Sequence, residues 1–370
     1  MHRLRLAYFA HSLRSDWNNG NAHFLRGLIR AMSAQGHDVV VFEPRLDWSL
    51  ANLLEEPEGN AALQQFDDTY PELQVTLYDT DAVADRDIWR NTLPYFDIVI
   101  LHEWNPPSLA HTLLELRGEL GYRMLFHDTH HRASSSPDQI KSFGVDRFDG
   151  VLVFGEVLRT LYRQRFGLRH VWTLHEAADT TVFCPRAGEV KRQDVVWIGN
   201  WGDEERSMEI REFLLQPAAA MRGAEFTIYG VRYPKAAQRE LSEAGVHYGG
   251  YLPNLQAPVE YASSRLTVHV PRRHYVRAMI GIPTIRVFEA LACGIPLISA
   301  PWSDVEELFR PGDIAFVSNG EEMCRAVRML LERPELAAEQ AALGRETVLA
   351  RHTCAHRAAQ LSEICEEVLR

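Results

Sequence analysis

Short apolar runs, each followed by a polar loop and then by apolar residues at helical spacing, recur along most of the chain. The run at 4–10 (LRLAYFA) predicts a first strand, and residues 11–21 read as a polar loop. Over 22–35, Phe24, Leu28, Ile29 and Met32 fall on one side of a helix that Gly36 breaks, and 38–42 (DVVVF) reads as the next strand. Strand, helix and parallel strand form the βαβ unit of a doubly wound sheet. Further buried strands are expected at 75–78, 98–102, 124–127 and 151–154, while 48–68 is weakly patterned and reads as loop and helix. A second series opens near residue 195, with strands at 195–198, 226–229, 266–270, 297–299 and 315–317 and a last helix at 353–369. The pattern predicts an α/β protein of two doubly wound, Rossmann-like domains facing a central cleft.

Composition narrows the function classes. A chain of 370 residues suits two domains, and 46% hydrophobic with 24% charged residues is ordinary for a globular protein. Net charge of −11 argues against nucleic acid as a partner. The local basic groups, Arg26 with Arg30 and Arg272 with Arg273, suit small anionic ligands better. No apolar run reaches the roughly 18–20 residues of a membrane span, and the N-terminus lacks the pattern of a secretion signal. Five scattered cysteines without a CxxC pair point to a reducing cytoplasm and against a metal–thiolate site.

The densest signal lies at 281–302. In FEALACGIPLIS (288–299), Ala290, Leu291 and Ala292 favour a helix, Gly294 suits the left-handed residue that ends one, and 295–298 reads as an interior strand. Glu289 is the one carboxylate of this small-residue helix. A nucleotide ribose presents two adjacent hydroxyl donors that one carboxylate can accept together, although the local pattern alone is better met by a solvated helix residue. The segment resembles the nucleotide-binding signature of sugar-nucleotide glycosyltransferases of the GT-B fold, and more narrowly the CgeB-like (spore-maturation-protein-like) glycosyltransferases. IGNWGDEER (198–206), FTIYGVRYP (226–234), HVPRRHYV (269–276) and ARHTCAHR (350–357) extend the resemblance, in order, from about residue 195 to the C-terminus. The first half is similar in outline. The resemblance implies that Glu289 holds the donor ribose and that 177–185 (AADTTVFCP) is a hinge. By the same resemblance, 1–176 is the acceptor side, 177–352 binds the nucleotide sugar, and 353–370 crosses back to the first domain.

Ligands of doubly wound sheets bind outside the carboxyl ends of the strands, so the candidates are the residues that follow strands. Gly20, in the loop after the first strand, either admits a diphosphate to backbone N–H groups or belongs to a polar surface loop. No GxGxxG follows that strand, which removes the main support for NAD or FAD. His127 matches, by the resemblance, a residue that contacts the donor sugar or supports the reacting centre. Glu103 and Asp128 are the carboxylates available to deprotonate an acceptor hydroxyl, or else cap turns. His127, Asp128, His130 and His131 lack the partners of a convincing coordination shell, and no metal is expected.

A departing diphosphate needs positive charge opposite it. The resemblance implies an Arg and a Lys after the first strand of the second domain. Asn200 stands in the Arg slot, and Arg206 lies one position from the Lys slot, with Arg272, Arg273 and Arg286 as further cations. The first Glu of the family's paired motif falls on Gly281, leaving the N–H groups of Gly281 and Ile282 to serve the sugar. Tyr229, Gly230 and a turn at 248–251, with Tyr251, lie where the base stacks by the same resemblance. Asp79 and Asp81 match the DxD pattern of the other large glycosyltransferase fold, but at a spacing common by chance, and are read as a surface turn.

The expected function is transfer of a sugar from a UDP-, GDP- or dTDP-linked donor to a hydroxyl on a glycan, protein or small molecule. The resemblance implies retention of configuration, and no metal or other cofactor is required if arginines and helix N-termini carry the charge. Two alternatives stay open: a sugar-nucleotide epimerase or hydrolase on the same fold, and a non-catalytic sugar-nucleotide binder, which Gly281 and Asn200 keep in play.

Overall fold

The computed structural model describes residues 3–370, which divide into two compact units. One unit runs to Glu176 and includes Cys354–Arg370, and the other is Ala177–Thr353. The first holds seven parallel strands: β1 (Arg5–Phe9), β2 (Asp38–Pro44), β3 (Gln74–Tyr78), β4 (Ile98–His102), β5 (Arg123–Asp128), β6 (Gly150–Val153) and β7 (Val171–Thr173), in the order β3-β2-β1-β4-β5-β6-β7. The second holds six: β8 (Gln193–Ile198), β9 (Phe226–Tyr229), β10 (Val246–Gly250), β11 (Ser264–His269), β12 (Leu297–Ser299) and β13 (Ala315–Phe316), in the order β10-β9-β8-β11-β12-β13. Each order reverses beside its first strand. This puts a topological switch point between β1 and β4 in one unit and between β8 and β11 in the other.

The interior strands are apolar on both faces, as parallel sheets covered by helices require. Every residue of β4 is buried, and β1 is buried from Leu6 onward. Phe9 stacks on Phe42 at 5.0 Å and meets Trp89 edge-on at 5.2 Å, under the sheet of the first unit. Each such ring contributes about 1.5–3 kcal/mol by leaving water. The second core joins Val195, Trp197 and Ile228 of its sheet to Phe213, Leu241 and Met323 of its helices.

Two strands lie outside those read from the sequence. β7 is a three-residue edge strand, too short to show a period. β10 runs through residues taken as a turn at 248–251, because Gly249 and Gly250 read as turn residues. Gly249 is instead a close-approach residue: a Cβ there would lie 2.2 Å from the Tyr229 ring, and the register slips between Tyr248 and Gly250. Residues 48–68 form two helices, Trp48–Leu53 and Gly59–Thr69, the first capped by the Asp47 carboxylate accepting from Ser49 and Leu50 N–H.

The helix Cys354–Leu369 packs within the first unit against the helix Asn21–Ala34. Ser362 Oγ bonds His37 Nε2 at 2.9 Å, and Trp172 Nε1 donates to Glu367 at 3.1 Å. Among the described residues, no helix is long and apolar enough to cross a membrane.

Candidate functional site

The loop after β1 is shaped from beneath. Arg26, only 1% exposed, donates from Nε to the Leu13 carbonyl at 2.7 Å and from Nη2 to that of Arg14 at 2.8 Å, and pairs with Asp16 at 3.1 Å. Glu43, at the end of β2, accepts Leu13 N–H at 2.6 Å and pairs with Arg14. Asn19 donates to the carbonyls of Ser12 and Ser15 at 2.9 and 3.3 Å. Arg26 and Arg30, read as an anion-binding group, are therefore taken up internally, Arg30 by Glu72, the Thr69 carbonyl and the Tyr70 ring. Gly20 sits in an ordinary right-handed conformation (φ −61°, ψ −28°), which any residue adopts.

At the first switch point β4 and β5 deliver His102, Glu103, His127 and Asp128, all fully buried. Neighbours in an extended chain face opposite ways. His127 accordingly turns its Nδ1 to the Tyr8 hydroxyl at 2.5 Å, and Asp128 accepts from the Tyr162 hydroxyl at 2.6 Å and from His130 N–H at 3.0 Å. Glu103 is ion-paired with Arg132, whose guanidinium also donates to the Glu103 carbonyl at 2.5 Å. His102 Nε2 meets Thr129 Oγ1 at 3.0 Å. Among the described residues His11 Nδ1, His102 Nδ1 and His127 Nε2 have no hydrogen-bond partner. Burial holds these imidazoles neutral: His11 is pushed down to about 4, His127 to about 3 and His102 well below the usual histidine range. Burial raises Asp128 to about 6. The three residues named as catalytic candidates thus sit at the ends of two adjacent strands, but His127 and Asp128 face opposite ways, and Glu103 is bound by a cation and is not a free base.

Trp104 and Arg132, which the sequence reading did not single out, complete this end of the sheet. The Arg132 guanidinium lies over the Trp104 ring, 4.1 Å from its centroid. Among the described residues no group of three or more His, Cys, Asp or Glu is arranged to hold a metal ion. Asp79 is exposed and pairs with Arg45, and Asp81 lies in the short turn that follows.

The second switch point is cationic. Arg206, 9% exposed, is held by carbonyl oxygens: Nη2 donates to the Asn200 backbone at 2.9 Å and to its side chain, and Nη1 to the Val270 carbonyl at 3.3 Å. The Trp197 ring lies 5.1 Å from the guanidinium. No carboxylate pairs with Arg206 among the described residues. Burial, aided by Arg272, lowers its pKa to about 9, so it stays charged at neutral pH. Arg273 is held bidentately by Glu209 at 2.8 and 3.0 Å, and Arg272 by Glu205 at 3.0 Å. His269, at the end of β11, bonds Ser299 at 2.9 Å and is driven down to about 3 by burial and by Arg206.

Glu289 is fully buried in the helix Ile285–Cys293, which ends at Gly294 in the left-handed conformation (φ 68°). One carboxylate oxygen accepts from Asn254 at 3.1 Å and the other from Arg286 at 2.5 Å, so it is not the solvated residue of the local pattern. Arg286, offered as a diphosphate cation, is thus engaged by Glu289. Gly281 adopts φ 104°, where a Cβ would lie 2.8 Å from Val305 and 3.4 Å from the Glu306 carboxylate. Its neighbour Ile282 is buried. Tyr229 donates to Glu260 at 3.0 Å, while Tyr251, half-buried, follows β10. Gly230 (φ 155°) is obligatory, since a Cβ would fall 2.0 Å from the Gly199 carbonyl oxygen. Sequence reasoning passed over Asn254, Glu205 and Glu209 because their roles depend on pairings across loops.

Two Rossmann-like units of parallel strands with flanking helices define the GT-B class of fold. Residues 206–363 match the family described as "Glycosyl transferase-like". The chain is similar in structure to HepE from Anabaena solved with UDP and glucose (TM-score 0.70, 13% identity, 98% of this chain and 99% of that one). It is also similar to sucrose-phosphate synthase from Thermosynechococcus elongatus (TM-score 0.69, 16% identity, 99% of each). A third similar structure is an α-glucosyltransferase solved with UDP and a 13-mer DNA containing an HMU base (TM-score 0.71, 12% identity, 99% of this chain and 100% of that one). At such identities the likeness establishes the fold. No match was found among the curated proteins.

Proposed function

We propose that the protein is a glycosyltransferase that moves a hexosyl unit from a nucleotide-sugar donor to a hydroxyl acceptor. The donor binds the unit 177–352 and the acceptor the unit 1–176, with 353–370 completing the latter. The observation that carries this reading is Arg206, a buried cation at a switch point, whose Nη1 and Nη2 meet only carbonyl oxygens, whose Nε has no partner, and which lacks an anion among the described residues. A buried charge is costly unless it is paired, and a diphosphate at this strand end supplies the pair. In the transition state the leaving diphosphate gains charge, and a preplaced guanidinium stabilises it without reorganising. Arg273 and Arg272 add to this by exchanging Glu209 and Glu205 for phosphate oxygens. Glu289 exchanges Asn254 or Arg286 for the ribose hydroxyls. Asn200 positions Arg206, the N–H groups of Gly281 and Ile282 face the sugar, and Tyr229 and Tyr251 flank the base. Of the carboxylates near the acceptor, Asp128 has no ion pair among the described residues, whereas Glu103 positions Arg132. His127, neutral, offers Nε2 for a hydroxyl contact.

We read the reaction as retaining, metal-independent and cytoplasmic, and the chain as CgeB-like. UDP is the first nucleotide to test, since two structural neighbours were solved with it. A non-catalytic sugar-nucleotide binder is the second reading, favoured by Gly281, whose positive φ and close approach to Val305 disfavour the side chain of an acid there. Thermal stabilisation by UDP, GDP or dTDP, diminished in Glu289→Gln, followed by nucleotide release from the matching sugar conjugate, supports transfer chemistry. Stabilisation without turnover in the presence of any sugar acceptor selects the second reading, and no stabilisation by any nucleotide rejects both.

A further inference from the structure

Trp104 is 42% exposed, and the groups around it are held by hydrogen bonds and an ion pair. Its backbone follows the buried Glu103, and Asn105 next to it donates to the Phe9 and His102 carbonyls at 2.8 and 2.9 Å. Arg132 lies over the ring at 4.1 Å and is itself locked to Glu103, and His130 meets the ring edge at 5.0 Å. A half-exposed ring braced by a guanidinium on one side lies at a switch point, the place where ligands of such sheets bind. Beside the ring stand polar atoms without partners: His11 Nδ1, on a ring 6.1 Å from Trp104, and His102 Nδ1, on a ring stacked 5.8 Å from His11. An unsatisfied buried nitrogen costs about 1–3 kcal/mol, which a ligand hydroxyl recovers when the half-buried His11 ring turns to meet it.

We propose that Trp104 is the stacking platform of a saccharide site in the first unit, and that the acceptor is therefore recognised through a pyranose ring. A pyranose combines a face of C–H bonds, which suits the electron-rich face of an indole, with edge hydroxyls that donate and accept. The arrangement offers the complementary pair, one aromatic face and the neutral His11 imidazole beside it, with the His102 ring stacked behind. A lipid chain would leave the His11 nitrogen unsatisfied. A peptide would use backbone partners, which this end of the sheet spends internally on Asn105 and Arg132. The inference rests on the transfer reading above, but names a different unit and a different ligand.

The test is saturation-transfer NMR on the full chain with the methyl α- and β-glycosides of glucose, galactose, mannose and N-acetylglucosamine at millimolar concentration. At least one glycoside is expected to receive saturation on its ring C–H protons. The transfer is lost in Trp104→Ala and partly kept in Trp104→Phe, while thermal stabilisation by UDP is the same in all three proteins. Equal transfer in Trp104→Ala, or transfer to none of the glycosides, overturns the platform. Saturation of uridine in place of the glycosides, lost in Trp104→Ala, overturns the saccharide assignment. Failure of UDP to stabilise the wild type, with glycoside transfer intact, removes the donor reading and leaves the platform standing.

Discussion

The two switch points have the same topology and opposite electrostatics. Where β1 meets β4 the strand ends carry neutral histidines, a carboxylate locked to an arginine, and a tryptophan. Where β8 meets β11 they carry arginines, one buried without a carboxylate and two held by glutamates. The backbone sets where a ligand can sit, and the side chains set which ligand. The neutral, aromatic end suits a polyol, and the cationic end suits an anion. The proposed transfer uses both surfaces, one in each unit.

Acid should break the comparison most strongly. A histidine whose folded pKa is depressed takes its proton first in the unfolded chain, so its contribution is present above about 6.5 and is lost as pH falls. Three such histidines (His11, His102, His127) lie in the first unit and one (His269) in the second. His37 and His274 add one weaker case to each. Asp128 works in reverse, since its raised pKa means that protonation below about 6 relieves a buried charge, and burial raises Glu43 and Asp47 in the first unit and Asp304 in the second in the same sense. With three strongly depressed histidines against one, the first unit is predicted to lose stability faster than the second as pH falls from about 6 to 4. Pulse proteolysis across that range, with fragments mapped by mass, should show the first unit opening first.

Arg26→Met sharpens the contrast with Arg206, since Arg26 is a buried cation that is paired. Breaking such a pair should cost about 3–5 kcal/mol in urea denaturation. Gly281→Glu, which installs the missing acid, should cost about 1–3 kcal/mol from its positive φ and the Val305 contact, lowering Tm without restoring a donor contact. Gly20→Ala should shift stability by less than about 0.5 kcal/mol, because its backbone is ordinary, and leave UDP binding unchanged.

The fold was legible wherever a strand was interior, because burial on both faces writes a continuous apolar run such as IVILH at 98–102. It was not legible at β7 and β10, edge strands whose residues are set by packing, Gly249 by the Tyr229 ring above all. At the site, Glu289 and Arg206 could be picked out only through the family resemblance. Their engagement by Arg286, Asn254 and backbone carbonyls could not, since hydrogen-bond partners at long sequence separation leave no periodic trace. Trp104 was invisible for the same reason. An exposed tryptophan becomes informative only once Arg132 is seen to hold it.

The central claim is that the unpaired guanidinium of Arg206 marks the nucleotide site of the second unit. Calorimetric titration of UDP into the wild type and into Arg206→Gln, both checked for native circular dichroism, tests it most directly. The account predicts saturable binding in the wild type and a Kd raised on the order of 10- to 100-fold in the variant, as expected for losing a hydrogen bond to a charged group worth about 1.5–3 kcal/mol. Equal affinity in the two proteins would contradict it.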